Sequence, residues 1–240
     1  MTSPSTKFIA AISACLVASF AGATTESPAR AWEFDVALDG KPIGSHTFEL
    51  QHDGAQQVLT TEARFDVKFL FVTAFRYRHE NTEVWNDGCL SSIDASTNSN
   101  GDLLAVNGTL GDGQFDVTST QGMSSLPACV QTFAYWNPRI LEAQQLLNSQ
   151  TGEYENVKAV YEGPDQIKVA GSTVEAFRYR LSASAGDIVL WYSTDETTWL
   201  GLEAPANGGR KLTYTAVAVP KSDWSQSLAQ NSMPATRSAE

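Results

Sequence analysis

The chain has 240 residues, with 27 acidic against 16 basic side chains and a formal net charge of −11. That balance excludes an electrostatic grip on nucleic acid or on anionic membrane surfaces, since both need an excess of Lys and Arg. With 42% hydrophobic residues and no compositional break, the length fits one domain with a sizeable core.

Residues 1–31 read as a signal peptide. Lys7 gives a weakly positive start, residues 8–20 are apolar but short for a bilayer span, and Ala21-Gly22-Ala23 and Ala29-Arg30-Ala31 are small-x-small cleavage sites. Ile12-Ser13-Ala14-Cys15 loosely matches a lipoprotein processing box, with only about five apolar residues ahead of it. The expected product is soluble and periplasmic or secreted, with no membrane span after cleavage. Loss of Lys7, Glu26 and Arg30 makes the remainder one unit more negative. Two cysteines remain, Cys89 and Cys129, and in an oxidising compartment an isolated pair most simply forms a disulfide. Closing that loop contributes about 4 kcal/mol on the chain-entropy model. A reactive thiol pair is the rival, but there is no Cys-x-x-Cys and no neighbouring His.

From Trp32 the pattern has period two, with Trp32, Phe34, Val36 and Leu38 on one face and Glu33, Asp35 and Asp39 on the other. Asp39-Gly40-Lys41-Pro42-Ile43-Gly44 is turn chemistry, and the return strand places His46, Phe48, Leu50 and His52 on one side. After Asp53-Gly54 a strand carries Leu59, Ala63, Phe65, Val67, Phe69 and Phe71 on one face. The run Phe69-Leu70-Phe71-Val72 suggests burial on both sides or a bend across the core. Phe75, Tyr77, His79 and Trp85 then alternate with Arg76, Arg78 and Glu80. Residues 89–98, 103–110 and 114–120 read as shorter strands separated by Asn100-Gly101 and Gly111-Asp112-Gly113.

Residues 129–152 interrupt the alternation. Asn137 suits an N-cap, Pro138 suits the first helical position, Trp136 can staple onto Leu141, and Ile140, Ala143 and Leu147 repeat at helical spacing. This predicts a short amphipathic helix of about three turns over residues 138–148. Beyond Gly152, strands resume around residues 157–161, 166–169, 174–183, 188–192, 199–203 and 211–219. About a dozen short strands with almost no room for crossovers imply a sequential antiparallel sheet, which at that length curls or closes. The expected fold is all-β: an antiparallel β-barrel or curled β-roll over residues 32–219 with one short helix inserted near the middle, and a β-sandwich as the alternative. Residues 220–240 form a polar, flexible tail on this pattern. The run Ala74-Phe75-Arg76-Tyr77-Arg78 recurs as Ala176-Phe177-Arg178-Tyr179-Arg180, which marks either two related halves or two strands with similar jobs.

The run Phe133-Ala134-Tyr135-Trp136-Asn137-Pro138, followed by Leu146-Leu147-Asn148-Ser149-Gln150-Thr151-Gly152, resembles the signature of an uncharacterised family of exported bacterial proteins, the domain of unknown function 6134 type. The Trp32 to Phe48 hairpin, Ala63 to Trp85, and Trp191-Tyr192-Ser193 through Trp199-Leu200-Gly201-Leu202 are similar to its general layout. The resemblance covers most of the chain after the leader and implies an envelope location and a β-rich fold. It supplies no activity, cofactor or catalytic residue. A looser likeness to periplasmic β-barrel or half-barrel proteins, some of which carry lipids, is one of fold only.

Motifs for chemistry are absent. His46, His52 and His79 are the only histidines, without metal-ligand spacing, and there is no Gly-x-Ser-x-Gly and no phosphate loop. Two features remain. Arg76, Arg78, Arg178 and Arg180 either form solvated ladders with neighbouring carboxylates or line a cavity that holds a carboxylate or phosphate head group. Tyr135, Trp136, Asn137 and Gln150, beside Asn148 and Thr151, either cap and turn the chain or orient a guest at a pocket mouth. These eight residues are the candidate ligand-binding set. The aromatic supply at Phe65, Phe69, Phe71, Phe75, Tyr77 and Trp85 suggests a non-catalytic binding module for an apolar or amphipathic, lipid-like small molecule, with no metal or other cofactor. A cell-envelope interaction or assembly module and a hydrolase without a recognisable motif are the alternatives.

Overall fold

The computed structural model describes the backbone of residues 30–69 and 72–220 and all their side chains but those of Phe69 and Val72. The predicted leader up to residue 29, Leu70 and Phe71 of the suggested bend, and the predicted tail from residue 221 lie outside the described residues. Arg30 and Ala31 open the first strand, opposite Leu50 and Glu49.

Fifteen strands follow: β1 Arg30–Leu38, β2 Lys41–Asp53, β3 Gln56–Phe69, β4 Val72–Asn86, β5 Cys89–Ser99, β6 Asp102–Gly111, β7 Gln114–Ser119 and β8 Gly122–Pro127 come first. After a long connection come β9 Gln145–Leu147, β10 Tyr154–Asn156, β11 Lys158–Val169, β12 Ser172–Ala183, β13 Gly186–Tyr192, β14 Trp199–Ala206 and β15 Arg210–Ala218. The period-two pattern becomes burial directly. Trp32, Phe34, Val36 and Leu38 are buried in β1 while Glu33 and Asp35 stay outside. Asp39-Gly40, Asp87-Gly88, Asn100-Gly101 and Asp112-Gly113 each take two successive positive φ angles, the geometry that turns a right-twisted hairpin in two residues.

Thirteen strands form one sheet in the order β11-β12-β13-β14-β15-β1-β2-β3-β4-β5-β6-β7-β8, and the last strand, β15, lies antiparallel to the first near its middle. The predicted barrel does not close. The β11 end curls inward and meets β15, where Val169 lies opposite Ala216 in parallel sense and the Ala170 N–H donates to the Ala216 carbonyl at 2.8 Å. That contact stops β11 short of β8, so both remain edges of an open, curled antiparallel sheet.

Residues 128–157 carry the chain from one edge to the other across the inner face. Their Val130, Ala134, Trp136, Ile140, Leu146 and Leu147 share one core with Trp32, Phe34, Trp85 and Trp199. The β4–β5 turn seats the start of this crossing segment. Cys89 and Cys129 are disulfide-bonded with Cα atoms 4.9 Å apart. The Arg139 guanidinium donates to the Asp87 carbonyl at 3.1 Å and lies against Gly88, whose φ of 77° is why glycine serves there.

The predicted helix is corrected. Only Pro138–Leu141 coils, as a 3-10 turn capped by Asn137, whose Oδ1 accepts from the Arg139 N–H at 3.2 Å. Residues 145–147 are extended as β9 and pair with β10, and the Leu147 N–H donates to the Gln131 carbonyl at 2.8 Å. A helix of about three turns is marginal alone. It also rises only about 1.5 Å per residue against about 3.3 Å for extended chain, and this segment has to span the sheet. Leu146 and Leu147 are both fully buried, which an extended chain enclosed on two sides allows.

Candidate functional site

The inner face of β4 carries Tyr77, His79, Asn81, Glu83 and Trp85 at period two, so three polar side chains occupy positions where the core would be apolar. Strand register sets each in a row. His46, Ala63, His79 and Thr97 are successive partners across β2, β3, β4 and β5, and Phe48, Thr61, Asn81 and Ala95 form the adjacent row. Ala63 is small, which leaves the two histidines room to sense each other over β3.

The crossing segment roofs these rows and leaves a cavity of about 230 Å³. Phe133, Ala134 and Tyr135 form one part of the roof and Asn148, Ser149 and Gln150 the other; Ile188 and Tyr214 close the side. Tyr77 Oη donates to Gln150 Oε1 at 2.9 Å, and Tyr192 Oη donates to the Tyr135 carbonyl at 2.7 Å. Asn148 shapes its own loop, accepting at Oδ1 from the Gln150 N–H at 2.9 Å and donating from Nδ2 to Glu155 Oε1 at 2.9 Å. Glu155 and Ala183 belong both to the cavity and to a surface groove of about 820 Å³ over β10, so the opening lies there. Glu155 also bonds the Ser184 hydroxyl across that opening.

The polar floor is closely bonded. His79 Nδ1 and Thr97 Oγ1 are 2.8 Å apart, and His46 Nδ1 lies 3.3 Å from Tyr214 Oη with its ring stacked on Phe48. Glu83 is 2% exposed and accepts from Asn81 Nδ2 and from Trp85 Nε1, each at 3.0 Å. Asn81 Oδ1 and His46 Nε2 are shielded from water and have no hydrogen-bond partner among the described residues.

A family model described as "Domain of unknown function (DUF6134)" matches residues 34–217. The chain belongs to the DUF6134 family. The fold of this DUF6134 chain is similar to a crystal structure described as a β-barrel-like protein of domain of unknown function DUF1849 from Brucella abortus. Identity is 9%, the TM-score is 0.61, and the match covers 81% of this chain and 98% of that one. At that identity the likeness is one of fold alone. Comparison with curated proteins gives no match.

In this DUF6134 protein burial sets the charge of the cavity. It brings His46 down to about 3, helped by His79, and brings His79 down to about 4, so both are neutral at pH 7. Burial pushes the Glu83 carboxyl up, against the pull of its hydrogen bonds from Asn81 and Trp85, and raises the Tyr77, Tyr135 and Tyr214 hydroxyls. Among the described residues no Lys or Arg lines the cavity. Among the described residues no group of three or more His, Cys, Asp or Glu could hold a metal ion, and no helix is long and apolar enough to cross a membrane.

Of the eight residues singled out from sequence, Tyr135 and Gln150 line the cavity. Trp136 is buried edge-on against Trp85 at 5.7 Å, and Asn137 caps the 3-10 turn. The four arginines point to the other side of the sheet. Arg76 and Arg78 hold Asp66 on β3 at 3.1 and 2.8 Å, and Arg178 and Arg180 hold Glu162 on β11. The repeated five-residue run thus builds one device twice: two arginines two apart clasp a carboxylate of the preceding strand while the intervening tyrosine points inward. His46, His79, Asn81 and Glu83 were missed as a group. Their signal was parity, since Asn81 and Glu83 fall on the same face of β4 as Tyr77, His79 and Trp85.

Proposed function

We propose that this protein is an exported, non-catalytic binding module that holds a compact amphipathic molecule between the curled sheet and the crossing segment. The observation that carries this reading is the cavity, whose Asn81 Oδ1 and His46 Nε2 are buried acceptor or donor atoms with nothing to bond. Buried polar atoms are ordinarily satisfied, so two unsatisfied atoms on residues that line the cavity support a polar floor built for a guest. Its volume of about 230 Å³ lies below the roughly 300–1,000 Å³ of drug-sized pockets, which supports a guest smaller than a lipid with long chains. The hydrogen bonds support binding over hydrolysis: His79 partners Thr97, His46 partners Tyr214, and Glu83 partners Asn81 and Trp85, so neither histidine is joined to a carboxylate. The disulfide supports an oxidising compartment, periplasmic or secreted.

The test is to express the full chain with its leader and purify the product without added ligand. Small molecules it retains are then released by denaturation and compared by mass spectrometry with those from Ala183→Trp, which fills the opening. The expected result is a small molecule retained by the natural protein and lost from the variant. Equal content in the two, or an empty natural protein that binds no small amphiphile in a calorimetric screen, overturns the reading.

A further inference from the structure

Glu83 has no opposite charge. Among the described residues it joins none of the ion pairs, its two oxygens are spent on neutral donors, and no cationic side chain lines the cavity beside it. Without a counter-charge, burial drives such a carboxyl toward its neutral form, and a cation entering the cavity would favour the ionised form. Glu83 also sets the direction of Asn81. Because Asn81 Nδ2 is committed to Glu83 Oε1, the amide cannot turn over without breaking that bond, and its Oδ1 is left as an unspent acceptor on a side chain only 5% exposed. An unpaired buried acceptor is costly, and Asn81 belongs to the cavity lining beside Glu83. The neutral histidines add no positive charge, Glu155 brings a second carboxylate to the opening, and the walls present the rings of Phe48, Tyr77, Tyr135 and Tyr214. Acceptors, carboxylates and aromatic faces without a basic residue repel an anionic head group and suit an ammonium.

We propose that the cavity takes a compact aliphatic monoamine, whose ammonium lies on the floor formed by Asn81 and Glu83 and supplies the charge that Glu83 lacks, with its carbon chain against Phe48, Leu59 and Ile188. This rests on the cavity being the binding site. The source of ligand affinity is then electrostatic at one end and apolar at the other, and an anionic amphiphile of the same size is rejected.

The experiment is isothermal titration calorimetry of the full-length processed protein at neutral pH with three probes of one chain length: n-hexylammonium, n-hexanol and n-hexanoate. The expected order is ammonium about tenfold or more tighter than alcohol, with hexanoate weakest. In Glu83→Gln the ratio of ammonium to alcohol affinity falls by about tenfold. Asn81→Leu, which removes the polar amide that holds Glu83 on the cavity floor and leaves the carboxylate, lowers the same ratio, and circular dichroism verifies that each variant is folded. Hexanol binding as tightly as hexylammonium, hexanoate binding best, or a ratio that survives both substitutions overturns the amine assignment and leaves the cavity's binding role standing. Binding of none of the three overturns both.

Discussion

Acidification from about pH 7.5 to about pH 5 destabilises this fold through His79 and His46, and the amount follows from their burial. Both have folded-state values below the ordinary 6.5, at about 4 for His79 and about 3 for His46. The unfolded chain therefore takes up protons first as the pH falls. The histidine contribution to stability is complete above the unfolded value, drains away below it, and levels off only once the folded values are passed. Over the stated interval one such histidine accounts for about 2 kcal/mol. His79 is 6% exposed and counts in full, whereas His46 is half-buried and contributes at most as much, so the pair accounts for up to about 4 kcal/mol. Glu83 works the other way, because its carboxyl is pushed up and gains protons on folding, and it trims the total. At roughly 2–4 °C per kcal/mol for a domain of this size, the melting temperature falls by roughly 10 °C. The assay is thermal unfolding followed by circular dichroism across the interval, for the natural protein and for His79→Gln, which can still bond Thr97. The variant's stability should fall less steeply with acid, by up to about 1.4 kcal/mol per pH unit. Superimposable profiles, or an NMR titration that places His79 near its ordinary value, would refute the account of the cavity floor as buried and neutral.

Three further outcomes are expected. Replacing both Cys89 and Cys129 by Ser lowers stability by about 4 kcal/mol, measured by urea unfolding, because the closed loop spans a sequence separation of 40 residues; a loss under about 1 kcal/mol would mean that the crossing segment docks by its own contacts. Ile140→Ala, at a fully buried position on the 3-10 turn, costs about 2–5 kcal/mol in the same assay, while Met123→Ala at 82% exposure stays within about 0.5 kcal/mol. Arg78→Ala moves the Asp66 carboxyl back up toward the ordinary range in an NMR titration, and by more than Arg76→Ala does, because the Arg78 hydrogen bond is the largest influence holding it down.

The strand pattern was legible because period two acts locally: alternating burial in β1 and the Asx-Gly turns are decided within a few residues. The disulfide was legible from the cysteine count together with the expected export. The helix was not, because Ile140, Ala143 and Leu147 carry helical spacing while the partners that draw residues 145–147 out, Tyr154–Asn156 and Gln131, are set by tertiary packing. Closure was not legible either, since it depends on where β11 meets β15, a contact between strands far apart in sequence. Within the site, Tyr135 and Gln150 could be picked out as polar atoms at a turn, whereas the partnership of His46 with His79 needs the register of three strands and a small residue between them.

Why the cavity lies where it does follows from the two cores. The larger one is filled by the crossing segment, while a smaller one, built on Val36, Leu38, Ile43, Ala63 and Phe65, lies farther along the same strands and is covered by Tyr77 and Tyr214. The polar row through Ala63 and His79 sits at the junction. Filling it with leucines would join the cores and remove the space, and cavity filling of that kind commonly stabilises a protein. A chain that instead keeps two lowered histidines, an uncompensated Glu83 and an unspent Asn81 acceptor at the junction gives up stability locally. Such a concession fits the binding role proposed for the cavity, and on that proposal it is the cavity floor, more than the arginine clasps on the outer face, that a ligand would restore.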